Sequence, residues 1–549
     1  MFSIVMALFL IQGTPDPDGI WAAMESINPD AIRQNVAFLS SDELGGRGTG
    51  TDGEKKAAQF IADHFAKNGL KPLTGTQFFQ PVSLVGYRKN SEKSSLAIHG
   101  EKGPFEYEND GNLTYWSSSQ KPLVKLSKAP LVFVGYGVEA PEYQWDDFKG
   151  YDCKGKVLVF LNNDPPVEEN GQELFEGKRR TYYGRWTYKF EQAMRHGAAG
   201  AMMIHTTPSA GYGWQVVGHN GAEEGFALDL PGSGYQVDFL AWIDEKRADA
   251  LAQGIGQSLE SWFNMAAKRD FKPVELPFSV DATIQTEIRK TQSQNVVGLL
   301  EGSDPSLKKE MIVFTAHYDH LGTAESGEGD RIYNGAWDNG LGTGCIMELA
   351  RAIGQSSWRP KRSFVFVACA AEEKGSLGSR WFVAKPMVPA KQFVANINID
   401  MPQIFGTTRD LTAIGRNASN LGESLDTAAV LFARKYQQEP VVIKDDQNPN
   451  AGSFYRSDQV NFAKAGIPAV FLNPGRDFSE GPTTDPSAYR DAHYHQPSDE
   501  INEAWDLKGC ARDLRLTLLA AGLIGDAEQS PRWNKGNEFE AAWEHLQKQ

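Results

Sequence analysis

Two adjacent carboxylates, Glu372 and Glu373, close the apolar run Phe364-Val365-Phe366-Val367-Ala368-Cys369-Ala370-Ala371 and are followed by Lys374-Gly375-Ser376-Leu377-Gly378-Ser379. The run reads as a strand buried on both faces of a parallel sheet, and the glycines after it permit a sharp turn. Ligands of open α/β sheets bind beyond the carboxyl ends of the strands. Two acids at that lip suit a division of labour, one holding a metal and the other moving a proton. Glu-Glu is a common and usually solvated dipeptide, so the pair gains meaning only in company. That company is present. The strand Met311–Thr315 runs into Ala316-His317-Tyr318-Asp319-His320-Leu321-Gly322, and the strand Phe393–Ile399 ends in Asp400. Asn334-Gly335-Ala336-Trp337-Asp338-Asn339-Gly340 opens a helix, and His493 and His495 lie in a loop before a final one.

The donor types narrow the chemistry. Two imidazoles with several carboxylates and no thiolate suit zinc, with cobalt or manganese less common. Five protein ligands exceed what one tetrahedral catalytic zinc accepts while keeping a position open. They fit two metals bridged by a carboxylate. The four cysteines (Cys153, Cys345, Cys369 and Cys510) form no CxxC or Cys/His cluster, and Cys345 and Cys369 fall in apolar segments that predict buried free thiols.

The elements that must position these groups alternate strand and helix from Gln294 to about Leu523, with helices expected over Thr343–Ile353 and Leu421–Tyr436. This predicts an α/β fold, a mostly parallel twisted sheet with helices on both faces. Upstream, helices are expected over Ala31–Leu39 and Glu54–Asn68, separated by a glycine-rich loop that is not a dinucleotide fingerprint, since no strand leads into it. Residues 128–274 have a different character: strands Pro130–Val138, Gly155–Leu161 and Ala201–Ile204, a helix Tyr188–His196 and glycine-rich loops. His196, His205 and His219 lie there without carboxylates at ligand spacing and read as structural or surface residues.

A chain of 549 residues predicts two or three domains. Its 41% hydrophobic and 23% charged content describes a globular protein, and a net charge of -15 argues against nucleic-acid or anionic-membrane partners. Residues 1–18 read as a signal peptide whose apolar core is too short for a membrane span, although the usual Lys or Arg at its start is missing. Export to the periplasm or the extracellular space is the corresponding expectation. Residues 526–549 read as a charged tail with a surface helix.

In order and combination, His317-Tyr318-Asp319, Trp337-Asp338-Asn339-Gly340, Glu372 to Ser379, Asn398-Ile399-Asp400-Met401 and Tyr494-His495-Gln496-Pro497-Ser498-Asp499 resemble the di-zinc aminopeptidases of metallopeptidase family 28. The resemblance spans nearly all of residues 20–525. It implies a discontinuous zinc peptidase domain (19–127 and 275–525) interrupted by a protease-associated domain at 128–274, whose Val-Gly-Tyr-Gly-Val and Gly-Lys-Val-Leu-Val runs match that pattern. It implies further that Asp338 bridges two zinc ions, that His317 and Asp400 complete one shell and Glu373 and His495 the other. Glu372 would be the general base, Asp319 the carboxylate that fixes the His317 ring, and the Asp338–Asn339 peptide cis. The implied substrates are peptides or small proteins with free N-termini. Three departures stand out: Trp337 where many relatives have another acid, Gln459 where relatives often carry His, and the flanking histidines His320 and His493, read as supporting.

An alternative of another class is a glutaminyl cyclase, an acyltransferase with one zinc; a related alternative is a glutamate-releasing carboxypeptidase, which adds an arginine cluster not identifiable here. A binding protein that lost its metals is disfavoured because every ligand position and the base are present.

Overall fold

A computed structural model describes residues 17–548 apart from 101–102, 106–110, 170, 178, 211–212, 215–216, 219–223, 233–234 and 483. All but the last two residues of the expected leader, and His219, thus lie outside the described residues. The chain packs as two units: Met1–Val82 with Gln292–Gln447 and Arg456–Gln549, and Ser83–Thr291 with Asn448–Tyr455.

In the first unit, residues 296–300 of the long strand Val274–Leu300 pair antiparallel with Ser363–Cys369. Ser363–Cys369, Met311–His317, Phe393–Ile399 and Ala469–Asn473 then follow side by side, all parallel. Asp410–Ile414 joins Ala469–Asn473 antiparallel, and Val442–Lys444 extends the sheet. This is the mostly parallel sheet that the alternation of elements predicts. Its central strands are buried at every position, as apolar runs of this length require when both faces are covered.

Strand residues alternate between the faces. Ile312, Phe314, Ala316, Phe364, Phe366 and Ala368 join one core with the helices Gly342–Gly354, Pro29–Leu39 and Asp52–Lys67, and Phe314 stacks on Phe366 at 5.0 Å. Thr315, Asn396 and Asn398 point the other way, where the Asn398 amide donates to Ser457 Oγ (2.9 Å) and Gln459 Oε1 (2.8 Å) at the start of the helix Gln459–Lys464. Helices therefore cover both faces. Pro29–Leu39 and Asp52–Lys67 each begin two residues before their expected starts. Asn28 Oδ1 accepts the N–H of Asp30 and Thr51 Oγ1 that of Glu54, so both caps satisfy first-turn donors. Among the described residues, no helix is long and apolar enough to cross a membrane.

The second unit holds its own sheet. Leu123–Phe133, Val157–Leu161, Gly200–Ile204 and Phe239–Ile243 run parallel, with Leu113–Trp116 antiparallel at the end beside Phe239–Ile243. Phe133 stacks on Trp262 at 4.2 Å in the core on one side, while Phe190 and Trp242 belong to the core on the other. His196 stacks on Phe148, and His205 packs edge-on to Trp242.

One buried acid beneath the first unit's glycine loop carries a testable cost. Glu54 accepts from Gly50 N–H (2.6 Å) and Ser293 Oγ (2.6 Å), yet burial pushes its carboxyl up from 4.5 to about 8. The folded state therefore holds its proton more tightly than the unfolded chain. Its stabilising contribution is full below pH 4.5 and is lost as pH climbs through 8. Glu54→Gln removes the charge, keeps an acceptor for the Gly50 N–H and turns the other contact round, its amide donating to Ser293 Oγ. The thermal midpoint of the variant is expected to gain on that of the parent between about pH 5 and about pH 8.5; parallel pH profiles would refute the assignment.

Candidate metal centre

Each expected site residue lies at the C-terminal lip of the first unit's sheet or in a loop that closes over it. His317 ends the strand Met311–His317, its carbonyl accepting from Thr343 Oγ1 (2.8 Å) on the neighbouring helix. Its Nε2 stands 3.3 Å from Asp338 Oδ1 and 3.6 Å from Asp400 Oδ1. His495 Nε2 approaches the other oxygen of Asp338 (3.1 Å) and Glu373 Oε2 (3.3 Å). Asp338 thus stands between the two imidazoles, with Asp400 on one side of it and Glu373 on the other.

Asp338 sits in the tight segment Ala336–Leu341, where it (φ −109°, ψ 96°) and Asn339 (φ −128°, ψ 41°) leave the helical region, joined by the cis peptide that the resemblance implies. Polar side chains fix this segment. Asp499 accepts the N–H groups of Trp337 (2.9 Å) and Asp338 (3.0 Å). Asn339 donates to the Ile399 carbonyl (3.0 Å) and accepts from Met401 N–H (3.2 Å), tying the segment to the strand end that bears Asp400. The Trp337 ring packs edge-on to Phe405 and Tyr489 with Nε1 on the Pro402 carbonyl, a buried anchor.

Glu372 and Glu373 are separated by a turn and not by the alternation of an extended chain. Ala371 takes φ 52°, and the N–H groups of Gly375 and Ser376 return to the Glu372 carbonyl, each at 2.8 Å. Glu373 thereby faces Asp338 and His495, while Glu372 Oε2 lies 4.0 Å from His317 Nε2 and its Oε1 accepts from Ser376 Oγ (3.1 Å). Asp319 accepts the N–H groups of Glu372 (2.9 Å) and Glu373 (3.3 Å). The nearest oxygen to His317 Nδ1 is the Asp319 backbone carbonyl (3.3 Å), with its carboxylate at 3.8 Å. Asp319 consequently sets the acid pair as much as the ring.

Electrostatics follow from this crowding. Burial, with Asp458, Glu373 and Asp400 nearby, holds the Glu372 carboxyl well above its ordinary value against the pull of His317. Burial also pushes Asp338 upward, but hydrogen bonds from His317 and His495 bring it well below the usual carboxylate range. His495 is raised to about 11: burial lowers it, and Glu373 with Asp338 more than compensates. Nitrogen and oxygen donors without sulfur suit zinc. His317, Asp338 and Asp400 offer ligand atoms within 4.8 Å of one another, and buried oxygens of Asp400 and Glu373 have no hydrogen-bond partner among the described residues. The residues present therefore fit a metal.

Residues 295–517 match the model of Peptidase family M28. The chain carries a Peptidase family M28 domain. The chain is 33% identical over 518 aligned positions to a glutamate carboxypeptidase 2 homolog of Caenorhabditis elegans, an alignment covering 82% of this chain. It spans only 60% of that relative's length. Aminopeptidase YwaD of Bacillus subtilis is 25% identical over 472 residues, covering 84% of this chain and 77% of that protein. The aminopeptidase from Aneurinibacillus sp. strain AM-1 shares the fold, with a TM-score of 0.52 at 19% identity over 94% of this chain and 97% of that one.

Sequence reasoning missed three supports of the candidate site. Asp499 is legible only as the end of the His495 motif, Asp458 only as the neighbour of Gln459, and Arg47 only as part of a glycine-rich loop. Asp458 is fully buried beside Cys369 and Ser379, its carboxyl pushed up to about 6 by burial. Arg47 is also fully buried. Its guanidinium donates to the carbonyls of Tyr318 (2.6 Å), Leu39, Asn334 (2.6 Å) and Gly335 (2.8 Å), joining segments that carry the candidate acids. Burial lowers it to about 10, so it stays charged at neutral pH beneath Asp319, Asp499 and Asp338.

Arg47→Met leaves those carbonyls and acids without their cation, and a loss of about 3–5 kcal/mol in urea unfolding is expected. Arg47→Lys, a point charge without the fork, should recover only part of it. Wild-type stability in the Met variant would show that the guanidinium is dispensable.

Proposed function

We propose that this protein is an aminopeptidase that hydrolyses the first peptide bond of peptides with a free N-terminus, using two zinc ions. The observation that carries the reading is Asp338 standing between His317 with Asp400 and His495 with Glu373. His317 and Asp400 would hold one zinc, Glu373 and His495 the other, and Asp338 would bridge them. When bound, zinc acidifies water and polarises the scissile carbonyl.

The chain's own groups handle the proton. Glu372, held at Oε1 by Ser376 Oγ and along its backbone by Asp319, would take the proton of the attacking water and pass it to the leaving amine. Water's oxygen joins the carbonyl carbon, the C–N bond breaks, and the proton count closes. Arg47, whose field reaches Asp319, Asp338 and Glu373, spends its N–H groups on backbone carbonyls and offers no clamp for a terminal carboxylate. The similarity to aminopeptidase YwaD supports the same reading. Residues 128–274 would be the protease-associated insertion within a peptidase formed by 19–127 and 275–525, with the flanking 83–127 and 275–291 packed into the insertion's unit.

The carboxypeptidase reading retains one supporting observation, the 33% identity to a glutamate carboxypeptidase 2 homolog. Aminoacyl-anilides, their N-acetylated forms and N-acetylated dipeptides ending in glutamate separate the two. Cleavage of the free-amine substrates alone, abolished by a chelator and restored by zinc, is expected; preferential cleavage of the acetylated dipeptides would favour the carboxypeptidase. Glu372→Gln should lose roughly 10²–10⁴-fold in kcat with its zinc content intact. Full activity in that variant would remove the assigned base.

A further inference from the structure

The histidine that the five-ligand reading leaves over, His320, stands closer to the proposed centre than a bystander would. It is fully buried, and neither ring nitrogen has a hydrogen-bond partner among the described residues. Leaving such a group unpaired in the interior costs about 1–3 kcal/mol. Its Nδ1 lies 2.7 Å from Glu373 Oε1, itself without a hydrogen-bond partner, and the contact falls outside the direction in which a ring N–H donates. Donor atoms of a common ion lie side by side in this manner.

The surroundings keep the ring in place. Gly335 (φ 55°) passes directly over it, where a Cβ would collide with the His320 ring and the Asp338 carbonyl. The His320 backbone N–H donates to the Arg47 carbonyl (3.2 Å), and the ring meets that of His495 edge-on at 5.7 Å. His320, Asp338 and Glu373 offer ligand atoms within 4.8 Å of one another, as His317, Asp338 and Asp400 do.

We infer that His320 Nδ1 is a further ligand of the zinc held by Glu373, giving that metal two imidazoles, His320 and His495, where the other has one. The inference rests on the two-zinc reading above. It makes the two positions chemically unequal. The richer nitrogen shell belongs to the Glu373 zinc, which should therefore be the slower of the two to leave.

Zinc K-edge X-ray absorption of the full chain loaded with two zinc ions tests this on the unaltered protein. Three imidazoles over two metals predict about 1.5 imidazoles per zinc, against about one if only His317 and His495 bind. His320→Asn preserves an amide donor for Glu373 but no imidazole. In competition with a chromophoric chelator it is expected to weaken one zinc at least about tenfold and to leave the other unchanged. About one imidazole per zinc in the parent, or wild-type affinity at both positions in the Asn variant, would overturn the assignment of His320 alone. A parent that binds fewer than two zinc ions would remove the two-zinc reading and this inference together.

Discussion

Negative charge crowded into a largely dry crevice is the constraint around which the rest is arranged. Asp319, Asp338, Glu372, Glu373, Asp400, Asp458 and Asp499 gather there with little water to screen them. Two like charges about 4 Å apart repel by about 4 kcal/mol at an effective dielectric of about 20. The fold answers in three ways. Arg47 supplies a permanent cation from below, the imidazoles supply titratable ones at the centre, and backbone N–H groups absorb Asp319 and Asp499. Protons and metals compete for the same lone pairs, so metal binding at such a centre releases protons.

The acids that receive backbone N–H groups also build the loops. Asp499 gathers the segment bearing Asp338, Asp319 gathers the turn bearing Glu372 and Glu373, and Asn339 links the first of these to the end of the strand before Asp400. Parts that are distant along the chain are therefore held through short polar contacts, while the sheet fixes only where each strand stops. A site assembled in this way inherits the rigidity of the buried strands without requiring any loop to be rigid by itself.

The strand ends were legible because apolar runs on the central strands leave no ambiguity about burial, and each run stops at a candidate ligand. Leu421–Tyr436 and Phe393–Ile399 form as the sequence pattern indicates. What escaped depends on contacts between distant residues. Arg47 reads locally as part of a glycine turn, and nothing near it in the chain announces the carbonyls it serves. The separation of Glu372 from Glu373 comes from a left-handed Ala371, which no pattern of apolar residues encodes. The strand Val274–Leu300 is longer than the segment Asn295–Leu300 expected there, because its middle carries polar residues that the sheet accommodates on half-buried faces.

The departure at Gln459 carries a consequence of its own. Asn398 places its carbonyl on Thr315 Oγ1 and its amide on Ser457 and Gln459, so the strand leading to Asp400 is braced from behind by neutral groups. An imidazole in place of Gln459 would accept that amide only in one tautomer and only while unprotonated. A carboxamide has no such condition. The hydrogen bonds that brace the strand before Asp400 are thus indifferent to acidity, although the carboxyl of Asp458 between their two partners is not.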